Sequence, residues 1–357
     1  MRGLRQHHST LRVPYWPLPR HLDFTFPLAG VDSFRSMSAI PEVSVVIPTR
    51  SRPALVTRAV RSVLAQTFDN IEVIVVVDGP DDETVATLQA IDDPRLRTVV
   101  LPRRGGAPNA RNAGVGAAQA PWTAMLDDDD EWLPDKLAVQ LDEAKAANVP
   151  LPIVTCRLIN RTPRADIVMP RRLPDHGEPR SEYLTVRRGL THGDGFVQTS
   201  MILAPTELFR KVPFTVGLPR LQELDWTLRA LAQDGVDLFV APEPLLVWHT
   251  DENRPRLSLV SPWEKMFVWS RANRSLFTPR AYAAVTLSVI SSMAVASGSF
   301  TVFRAVLSEA RRHGRPGVLD YVTFLQIWLL PPGLRAKLRD LVLRRRPAAS
   351  PGGSVAP

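Results

Sequence analysis

The chain has 357 residues, of which 45% are hydrophobic and 22% are charged, a balance typical of one large folded domain or two smaller ones. Its single cysteine, Cys156, excludes an intrachain disulfide and fits a reducing compartment, and no cysteine–histidine group has the spacing of a structural zinc site. The net charge is +8. The basic excess gathers near the C-terminus, where it favours an anionic membrane surface, a nucleic acid or a solubilising tail.

Residues 1–40 are rich in arginine, histidine and proline and show no sustained hydrophobic period, so we predict that most of them are disordered. They also lack the long apolar core of a signal peptide. Met37 stands just before the first strong strand pattern. A translation start at Met37 is therefore a second interpretation of this end, which mass spectrometry of the native N-terminus would decide.

Strand and helix patterns alternate along the next part of the chain. Strands are predicted at 43–47, 71–77, 97–101 and 122–126, and helices at 53–66, 82–90 and 109–118. Such alternation is typical of a parallel sheet with helices on both faces, and ligands bind these sheets beyond the carboxyl ends of the strands. Asp78, a glycine loop at 103–108 and an acidic run at 127–130 all fall at those ends. The sequence therefore predicts one site there.

Four adjacent aspartates occupy positions 127–130. Carboxylates at the end of a buried strand repel one another and lose hydration, and a divalent cation relieves both effects. Mg²⁺ and Mn²⁺ prefer oxygen ligands and complete their shell with substrate phosphates. The alternative is a solvated acidic turn before a helix that begins near Pro134. The strand on one side and the glycine loop nearby favour the metal site.

The glycines of this region do not form a common nucleotide fingerprint. Gly114 and Gly116 lie within a predicted helix rather than between a strand and a helix, and a third glycine is missing. No Walker-type loop is present either. A nucleotide site here would therefore be of neither the common dehydrogenase kind nor the common ATPase kind.

The second half of the chain gives weaker patterns. Strands are predicted at 153–159, 196–204, 236–241 and 244–249, helices at 205–211 and 219–232, and a long loop at 160–190. A helical extension is predicted at 251–346, with helices at 263–277 and 279–312, before a loose tail at 347–357. The uncharged stretch 281–302 is long enough to span a bilayer. Its many small and hydroxyl residues favour a helix packed within a soluble protein instead.

Five stretches together resemble the inverting glycosyltransferases of family 2, which have the GT-A fold. They are 44–52 (SVVIPTRSR), 71–79 (IEVIVVVDG), 110–114 (ARNAG), 125–132 (MLDDDDEW) and 221–229 (LQELDWTLR), the last being similar to the family's acidic acceptor-side motif. The resemblance covers about residues 42–250. It implies an α/β GT-A domain at 41–250, with a Rossmann-like, mostly parallel sheet and helices on both faces. The second stretch departs from the family pattern, because Asp78-Gly79-Pro80 has one acid fewer than usual.

The resemblance also implies substrates and a cofactor. The donor would be a nucleotide-diphosphate sugar, with a UDP-sugar favoured, and the acceptor a hydroxyl of a glycan or lipid-linked glycan. The cofactor would be Mn²⁺ or Mg²⁺. Donor binding is implied for Pro48, Thr49, Arg50, Arg52, Asp78, Arg111, Asp127 and Asp128, metal binding for Asp127, Asp129 and His249, and general-base catalysis for Glu223 or Asp225.

The chemistry of sugar transfer needs residues of these types. The departing diphosphate must have its growing charge neutralised, which a metal and an arginine can do, and a carboxylate must take the proton of the acceptor hydroxyl. A glycoside hydrolase would instead place two carboxyls around the scissile bond without a nucleotide. Counting back six residues from Arg229 places Glu223 where the family has its catalytic acid, and Asp225 is the second choice.

Structural roles remain open for several of these residues. Asp78 could cap a turn, Arg111 could lie on an exposed helix face, and His249 could be a hydrogen-bonded histidine of the core or rim. Glu223 and Asp225 are two positions apart and point to different helix faces. One of the two is therefore expected to be an ordinary helix acid.

Two other functions are open from the sequence. A sugar-nucleotide nucleotidyltransferase shares the fold class, but it would need a glycine-rich loop with a lysine where Pro48, Thr49 and Arg50 stand. A non-enzymatic basic protein that binds membranes or nucleic acid would leave the acidic run inert and show steep salt dependence. The transferase interpretation expects no nucleic-acid partner. It predicts a cytoplasmic protein that contacts the cytoplasmic membrane face through the basic segment 334–346, unless that segment docks on the catalytic domain.

Overall fold

The structure, a computed structural model, describes residues 40–189, 193–252, 263–330 and 333–334. Three predictions lie outside the described residues: disorder before residue 40, the alternative start at Met37, and the behaviour of the chain after Leu334. The architecture below therefore concerns the described parts of the chain alone.

Nine strands of the described chain form one mixed sheet. Across the sheet they follow the order β3 (Leu96–Val100), β2 (Ile71–Val77), β1 (Val43–Thr49), β4 (Trp122–Met125), β8 (Leu203–Pro205), β6 (Leu151–Arg161), β9 (Val236–His249) and β5 (Asp130–Trp132), with β7 (Asp166–Met169) paired to β6. The neighbours from β3 to β4 are parallel, as are β6 and β9, whereas β5, β7 and β8 pair antiparallel. The predicted fold class is confirmed, but the parallel pairing predominates only in the first half of the sheet.

Helices cover the sheet and continue beyond it. The first seven are α1 (Pro53–Leu64), α2 (Asp82–Gln89), α3 (Ala107–Ala117), α4 (Lys136–Ala146), α5 (Arg180–Thr185), α6 (Thr206–Lys211) and α7 (Gln222–Leu231). The extension adds α8 (Trp263–Ala272), α9 (Pro279–Val285), α10 (Ser291–Ala294), α11 (Phe300–His313) and α12 (Val318–Leu329). A π-helical turn, Thr286–Ile290, joins α9 to α10.

The parallel half of the sheet contains β1 and β2, in which every residue is buried. Their β-branched runs suit strands covered on both faces. Helix α3 packs closely on β1 because residue 114 is glycine: a Cβ added there would lie 2.4 Å from Cγ1 of Val46. This close packing brings the N-terminal turn of α3 to the carboxyl ends of the strands, where the site is.

Several elements differ from the prediction for non-local reasons. The loop predicted at 160–190 contains β7 and α5. The strand predicted at 196–204 is a 3₁₀ turn, Thr199–Met201, followed by the short β8. A strand, β5, precedes the helix that was predicted near Pro134. These short strands are stabilised by pairing with distant partners, which the local pattern does not reveal.

The helix predicted at 279–312 is divided in the structure. Gly298 adopts a left-handed conformation, with φ of 60°, and the side chain of Ser299 accepts the N–H of Val302 to begin α11. Among the described residues, Pro279–Ser297 is the one helical stretch long and apolar enough to cross a membrane, and 67% of it is buried within the protein. That burial favours the packed-helix interpretation.

The extension shares a hydrophobic core with the sheet domain. Met266, Trp269 and Tyr282 of the extension belong to the same buried cluster as Phe209 and Trp226. The Trp226 ring stacks on Phe209 with centroids 4.4 Å apart. Removing the extension would therefore expose core residues of the sheet domain to water.

A lysine and a cysteine are buried together beneath the sheet. Lys136 is fully buried, its ammonium donates to Gln140 Oε1, and its Nζ lies 4.0 Å from the centroid of the Trp132 ring. Burial lowers the pKa of Lys136 to about 8, against the opposing effect of Cys156. Burial likewise raises the pKa of the Cys156 thiol to about 11. These opposite shifts make the stability of the fold depend on pH.

We expect the free energy of unfolding to rise by about 1 kcal/mol between pH 8 and pH 9. In that range the unfolded chain keeps a proton on Lys136, whose ordinary pKa is 10.5, whereas the folded chain has released it. Stability therefore rises with pH as the penalty for burying the charge is removed. Above about pH 9 the unfolded Cys156 ionises before the folded thiol does, which opposes any further rise.

Urea denaturation at a series of pH values measures this dependence. The rise should disappear in Lys136→Met and should continue beyond pH 9 in Cys156→Ala, because each variant lacks one of the two titrations. A rise of the same size in Lys136→Met would show that another group is responsible.

Candidate active site

The acidic run meets the loop after β1 at the carboxyl ends of β1 and β4. Thr49 Oγ1 donates to Asp128 Oδ2 at 2.8 Å, and Arg52 Nη1 donates to Asp128 Oδ1 at 3.1 Å. The same Arg52 nitrogen lies 3.4 Å from Asp129 Oδ2. Burial raises the pKa of Asp128 to about 6, with the charges of Asp129 and Asp127 acting in the same direction and Arg52 and Thr49 opposing them. Asp128 is thus a buried, fully partnered acid that fixes the loop beside it.

Arg111 joins three elements around Asp127. Its Nη2 donates to Asp127 Oδ1 at 2.6 Å, and its Nη1 donates to Gln222 Oε1, at the first residue of α7, at 2.7 Å. The guanidinium lies over the Phe214 ring, 5.3 Å from its centroid, and the side chain is only 5% exposed. Arg111 is therefore a buried cation rather than a surface helix residue, and it holds the N-terminus of α7 against the acidic run.

Glu223 lies in the first turn of α7, next to Gln222, and is partly exposed. Burial has the largest effect on this carboxyl and raises its pKa. Asp127 also raises the pKa, whereas Arg111 and Arg220 lower it. These electrostatic effects of Arg111 and Asp127 on the pKa indicate that Glu223 lies near the Arg111–Asp127 pair. Leu221, just before the helix, has a φ of 58°, a strained backbone of the kind that concentrates at functional sites.

Asp225 has a different environment from Glu223. It is 2% exposed and accepts hydrogen bonds from Thr215 Oγ1 at 2.7 Å, from Arg229 Nη2 at 2.7 Å and from Trp269 Nε1 at 2.7 Å. A buried carboxylate whose oxygens accept from three partners is poorly placed to take a proton from an acceptor hydroxyl. These contacts anchor α7 to the extension and favour Glu223 over Asp225 as the base, an assignment that stays a prediction.

Asp78 shapes the glycine loop. Its two oxygens accept the backbone N–H groups of Gly105 and Gly106 at 2.7 and 2.9 Å, and Gly106 has a φ of 84°, which favours glycine. Pro48 is buried within β1, and Arg50 is exposed at the end of that strand. Contacts of Pro48, Arg50 and Asp78 with a nucleotide remain predictions.

His249 lies at the end of β9 among three acids. Its Nε2 is 3.1 Å from Glu131 Oε2, and its Nδ1 is 3.8 Å from Glu252 Oε1 and 3.9 Å from Asp251 Oδ1. Arg58 bridges this group to the acidic run, since its Nη2 donates to the Asp129 carbonyl at 3.1 Å. The contacts of His249 are thus with acids that the sequence analysis had not selected.

Two carboxylates of the acidic run, Asp127 and Asp129, are the possible ligands of a divalent cation. Within the described ranges, no three histidine, cysteine or acidic side chains are grouped so as to hold a metal. The Asp127 and Asp129 side chains remain 25% and 21% exposed on either side of buried Asp128. Mg²⁺ needs only one or two carboxylates where substrate phosphates complete its shell. Asp127 and Asp129 therefore fit a cation that binds together with a diphosphate.

Asp130 is a residue that sequence reasoning missed. It is fully buried, and its Oδ2 accepts from Ser200 Oγ at 2.6 Å and from Gln198 Nε2 at 2.5 Å. Burial raises its pKa well above the ordinary value, with Asp129 and Asp127 adding to the effect. Ser200 Oγ also accepts the backbone N–H of Asp127 at 3.0 Å. The 3₁₀ turn therefore supports the acidic run from behind, and the polar residues at 198–200 were the available signal.

Comparison with known proteins assigns the part of the chain that contains the acidic run to a family. Residues 44–212 match the family described as Glycosyl transferase family 2. This segment is a family 2 glycosyltransferase domain.

Relatives of the family 2 domain include envelope polysaccharide proteins. The chain is 39% identical over 118 residues to the succinoglycan biosynthesis protein ExoO of Rhizobium meliloti, which covers 33% of this chain and 34% of the relative. It is 29% identical over 118 residues to WfgD of Escherichia coli, named a UDP-Glc:alpha-D-GlcNAc-diphosphoundecaprenol beta-1,3-glucosyltransferase, covering 33% and 47% of the two chains. The matched parts span less than half of these relatives' length.

A solved structure also resembles the family 2 domain and much of the extension. It is Staphylococcus aureus TarS 1–349 in complex with UDP-GlcNAc, with 15% identity and a TM-score of 0.52, and the match covers 80% of this chain and 90% of that one. At this identity the likeness shows the fold. The nucleotidyltransferase alternative loses its support, because the match to the transferase family contains the first strand, the acidic run and the 3₁₀ turn.

Proposed function

We propose that the protein transfers a sugar from a nucleotide-diphosphate donor, a UDP-sugar, to a hydroxyl of a glycan or lipid-linked acceptor, with inversion at the anomeric carbon. One observation carries the proposal: Arg111, in the family 2 segment 44–212, connects the acidic run to the start of α7, which lies beyond that segment, one residue from Glu223. A donor-binding group and a separate acid are thereby held together. The similar TarS structure is a complex with UDP-GlcNAc, and the WfgD name contains a UDP-sugar and a diphosphoundecaprenol-linked acceptor.

Donor binding is assigned to the acidic run and the loops around it. Asp127 and Asp129 would hold Mn²⁺ or Mg²⁺, which when bound neutralises the charge that grows on the departing diphosphate. Arg52, held against Asp128, adds a fixed positive charge on the same side. Thr49 and the loop held by Asp78 line the place for the nucleoside. These residues are positioned before any ligand arrives, which lowers the entropy lost on binding.

Proton removal is assigned to Glu223. Its pKa is raised by burial, which makes the carboxylate a stronger base than an exposed glutamate. Because it is separate from the acidic run, it can act on a hydroxyl that attacks the sugar from the side opposite the diphosphate. Such a direct displacement inverts the anomeric configuration.

The place of action follows from the proposed acceptor. An undecaprenol-linked glycan, as in the name of WfgD, is confined to a membrane. We therefore extend the proposal to a cytoplasmic protein that works at the cytoplasmic membrane face.

Calorimetric titration of UDP, GDP and dTDP, each with and without Mn²⁺, tests the proposal. Tight binding of one nucleotide that requires Mn²⁺ is the expected result and identifies the base of the donor. Failure of all three nucleotides to bind in both conditions would contradict the proposed activity.

We expect Asp129→Ala to weaken nucleotide binding in Mn²⁺ at least tenfold, the value of about 1.4 kcal/mol for one charge-assisted contact. The reason is that this variant removes one of the two exposed carboxylates assigned to the cation. Without Mn²⁺ the variant and the wild type should bind equally. Asp166→Ala is the control, because Asp166 pairs with Arg161 on an exposed strand. Equal Mn²⁺-dependent binding in Asp129→Ala and the wild type would remove the metal assignment.

A further inference from the structure

Helix α12 carries an apolar stripe on its outer side. Val318, Val322, Leu325 and Leu329 are 82%, 37%, 45% and 70% exposed. Their spacing of four, three and four residues places them on one face of the helix. The opposite face is buried, with Phe324 packed in the core of the extension. A contiguous apolar face on the outside of a helix indicates a contact surface.

Helix α11 packs beside this stripe. The ring of Phe303 lies 4.7 Å from that of Phe324 and 5.4 Å from that of Trp328, measured between centroids. Helix α11 also exposes Phe300, which is 71% exposed and stacks on Phe303 at 5.7 Å between centroids, together with Arg304 and Arg311. We name the combined surface the α11–α12 face; it consists of Phe300, Arg304, Arg311, Val318, Val322, Leu325 and Leu329.

The exposed charges of these two helices are basic. Their two acids are buried: Glu309 accepts from the Tyr282 hydroxyl at 2.8 Å, and Asp320 pairs with Arg280. The exposed arginines 304, 311 and 312 line a surface depression of about 440 Å³, a volume suited to a phosphate-bearing headgroup. The face thus combines apolar side chains with uncompensated positive charge.

We propose that the α11–α12 face binds an anionic lipid bilayer, with the apolar stripe at the acyl boundary and the arginines against headgroup phosphates. Amphipathic helices with this division of residues lie in the membrane interface, and each basic residue near an anionic surface contributes about 1 kcal/mol. The inference rests on the proposed function in one respect: membrane binding would raise the concentration of the proposed membrane-bound acceptor near the enzyme.

Two features of the chain favour a membrane over a second copy of the protein. An isologous dimer through this face would bring the arginines of both copies together, and like charges across an interface oppose association. The sequence that follows α12 is also basic, with Arg335, Lys337, Arg339 and the arginines at 344–346 against the single acid Asp340. An anionic bilayer complements both regions at once.

Co-flotation with phosphatidylcholine vesicles, with and without phosphatidylglycerol, tests the proposal without donor or acceptor. The full chain should bind in the presence of phosphatidylglycerol. Leu325→Ser combined with Leu329→Ser, and separately Arg304→Gln combined with Arg311→Gln, should each lower the partition coefficient about tenfold. Added salt should weaken the leucine variant more than the arginine variant, because salt screens charges and the arginine variant has fewer of them.

Three controls make the outcome specific. Val168→Ser removes an exposed apolar side chain on β7, 37% exposed against 45% for Leu325, and should bind vesicles as the wild type does. Thermal unfolding should be unchanged in every variant, since the altered side chains are exposed. The triple variant Arg344→Gln, Arg345→Gln and Arg346→Gln tests the basic sequence after α12. Full loss of binding in this variant, with no loss in either face variant, would overturn the proposal.

Self-association is the remaining alternative and is measured by light scattering. A wild type that binds neither kind of vesicle but forms a dimer that the leucine variant abolishes would show that a second copy covers the face, and would overturn the proposal. UDP titration of the same variants separates this question from catalysis. Nucleotide binding should persist when vesicle binding is lost, whereas its absence in the wild type would contradict the proposed function alone.

Discussion

Replacing Glu223 by glutamine is expected to lower kcat for sugar transfer about 10²- to 10⁴-fold, the usual contribution of a general base, and to leave the Kd of the donor nucleotide unchanged. Glutamine keeps the shape of the side chain in the first turn of α7 but cannot take a proton. In the wild type, kcat/KM should fall as the pH decreases through the raised pKa of Glu223, because the protonated acid is inactive. Single-turnover rates over a pH series, together with nucleotide titrations, measure both effects.

Asp225→Asn is the matched control for this variant. It changes an acid of the same helix turn whose oxygens accept from Thr215, Arg229 and Trp269. We expect lower thermal stability but an almost unchanged rate per folded molecule. Glu223→Asp should recover part of the rate, since it restores a carboxylate that is shorter by one methylene. If Asp225→Asn lost transfer at normal stability and Glu223→Gln retained it, the base would be Asp225.

Asp225→Ala is expected to lower the free energy of unfolding by about 3–5 kcal/mol, as breaking a buried charged network does. The variant leaves the Trp269 indole N–H and the Thr215 hydroxyl without this acceptor, and among the described residues Arg229 keeps only its hydrogen bond to the Pro213 carbonyl. Trp269→Phe removes one donor alone and should cost about 1.5–3 kcal/mol, the value of a hydrogen bond to a charged group. Urea denaturation followed by circular dichroism measures both.

The double variant shows whether the two residues act together. Because Asp225 and Trp269 share one hydrogen bond, the combined loss should be smaller than the sum of the single losses. Asp166→Ala, at an exposed ion pair, should cost less than about 1 kcal/mol. Additive losses for Asp225 and Trp269 would show that their contact contributes little to the fold.

The parts of the fold that the sequence predicted are those with strong local patterns. The β-branched runs of β1 and β2 predict strands buried on both faces, and the helical spacing after Pro53 predicts α1. The sequence did not predict β5, which consists of three residues paired antiparallel with β9 near the end of the sheet domain. Pairing between distant short strands depends on tertiary packing, and no period within three residues reveals it.

In the candidate site, too, the sequence predicted the location but not the surroundings of each residue. An acidic run at the end of a strand predicted a single polar site, because strand ends gather at one edge of a sheet. The four aspartates nevertheless have different surroundings: Asp128 faces Thr49 and Arg52, whereas Asp130 faces Ser200. Those partners come from other elements, so the run of identical letters could not distinguish exposed acids from buried ones.

The preference for Glu223 over Asp225 also depends on tertiary contacts. Their spacing shows only that they occupy different faces of α7. The decisive contact comes from Trp269, a residue of the extension. Nothing near residue 225 in the sequence indicates that a tryptophan so far along the chain donates to this carboxylate.

The hydrogen bond from Trp269 to Asp225 has a consequence for recombination between related genes. A crossover between α7 and α8 would separate Asp225 from the Trp269 indole with which it pairs. Where the new extension has a different residue at that position, the hybrid would lose the hydrogen bond and the packing of the shared core. Exchange of residues 213–330 as one block keeps the pair together. Helix α7 and the extension are therefore expected to be inherited as a single module, and chimaeras designed to change acceptor preference should move them together.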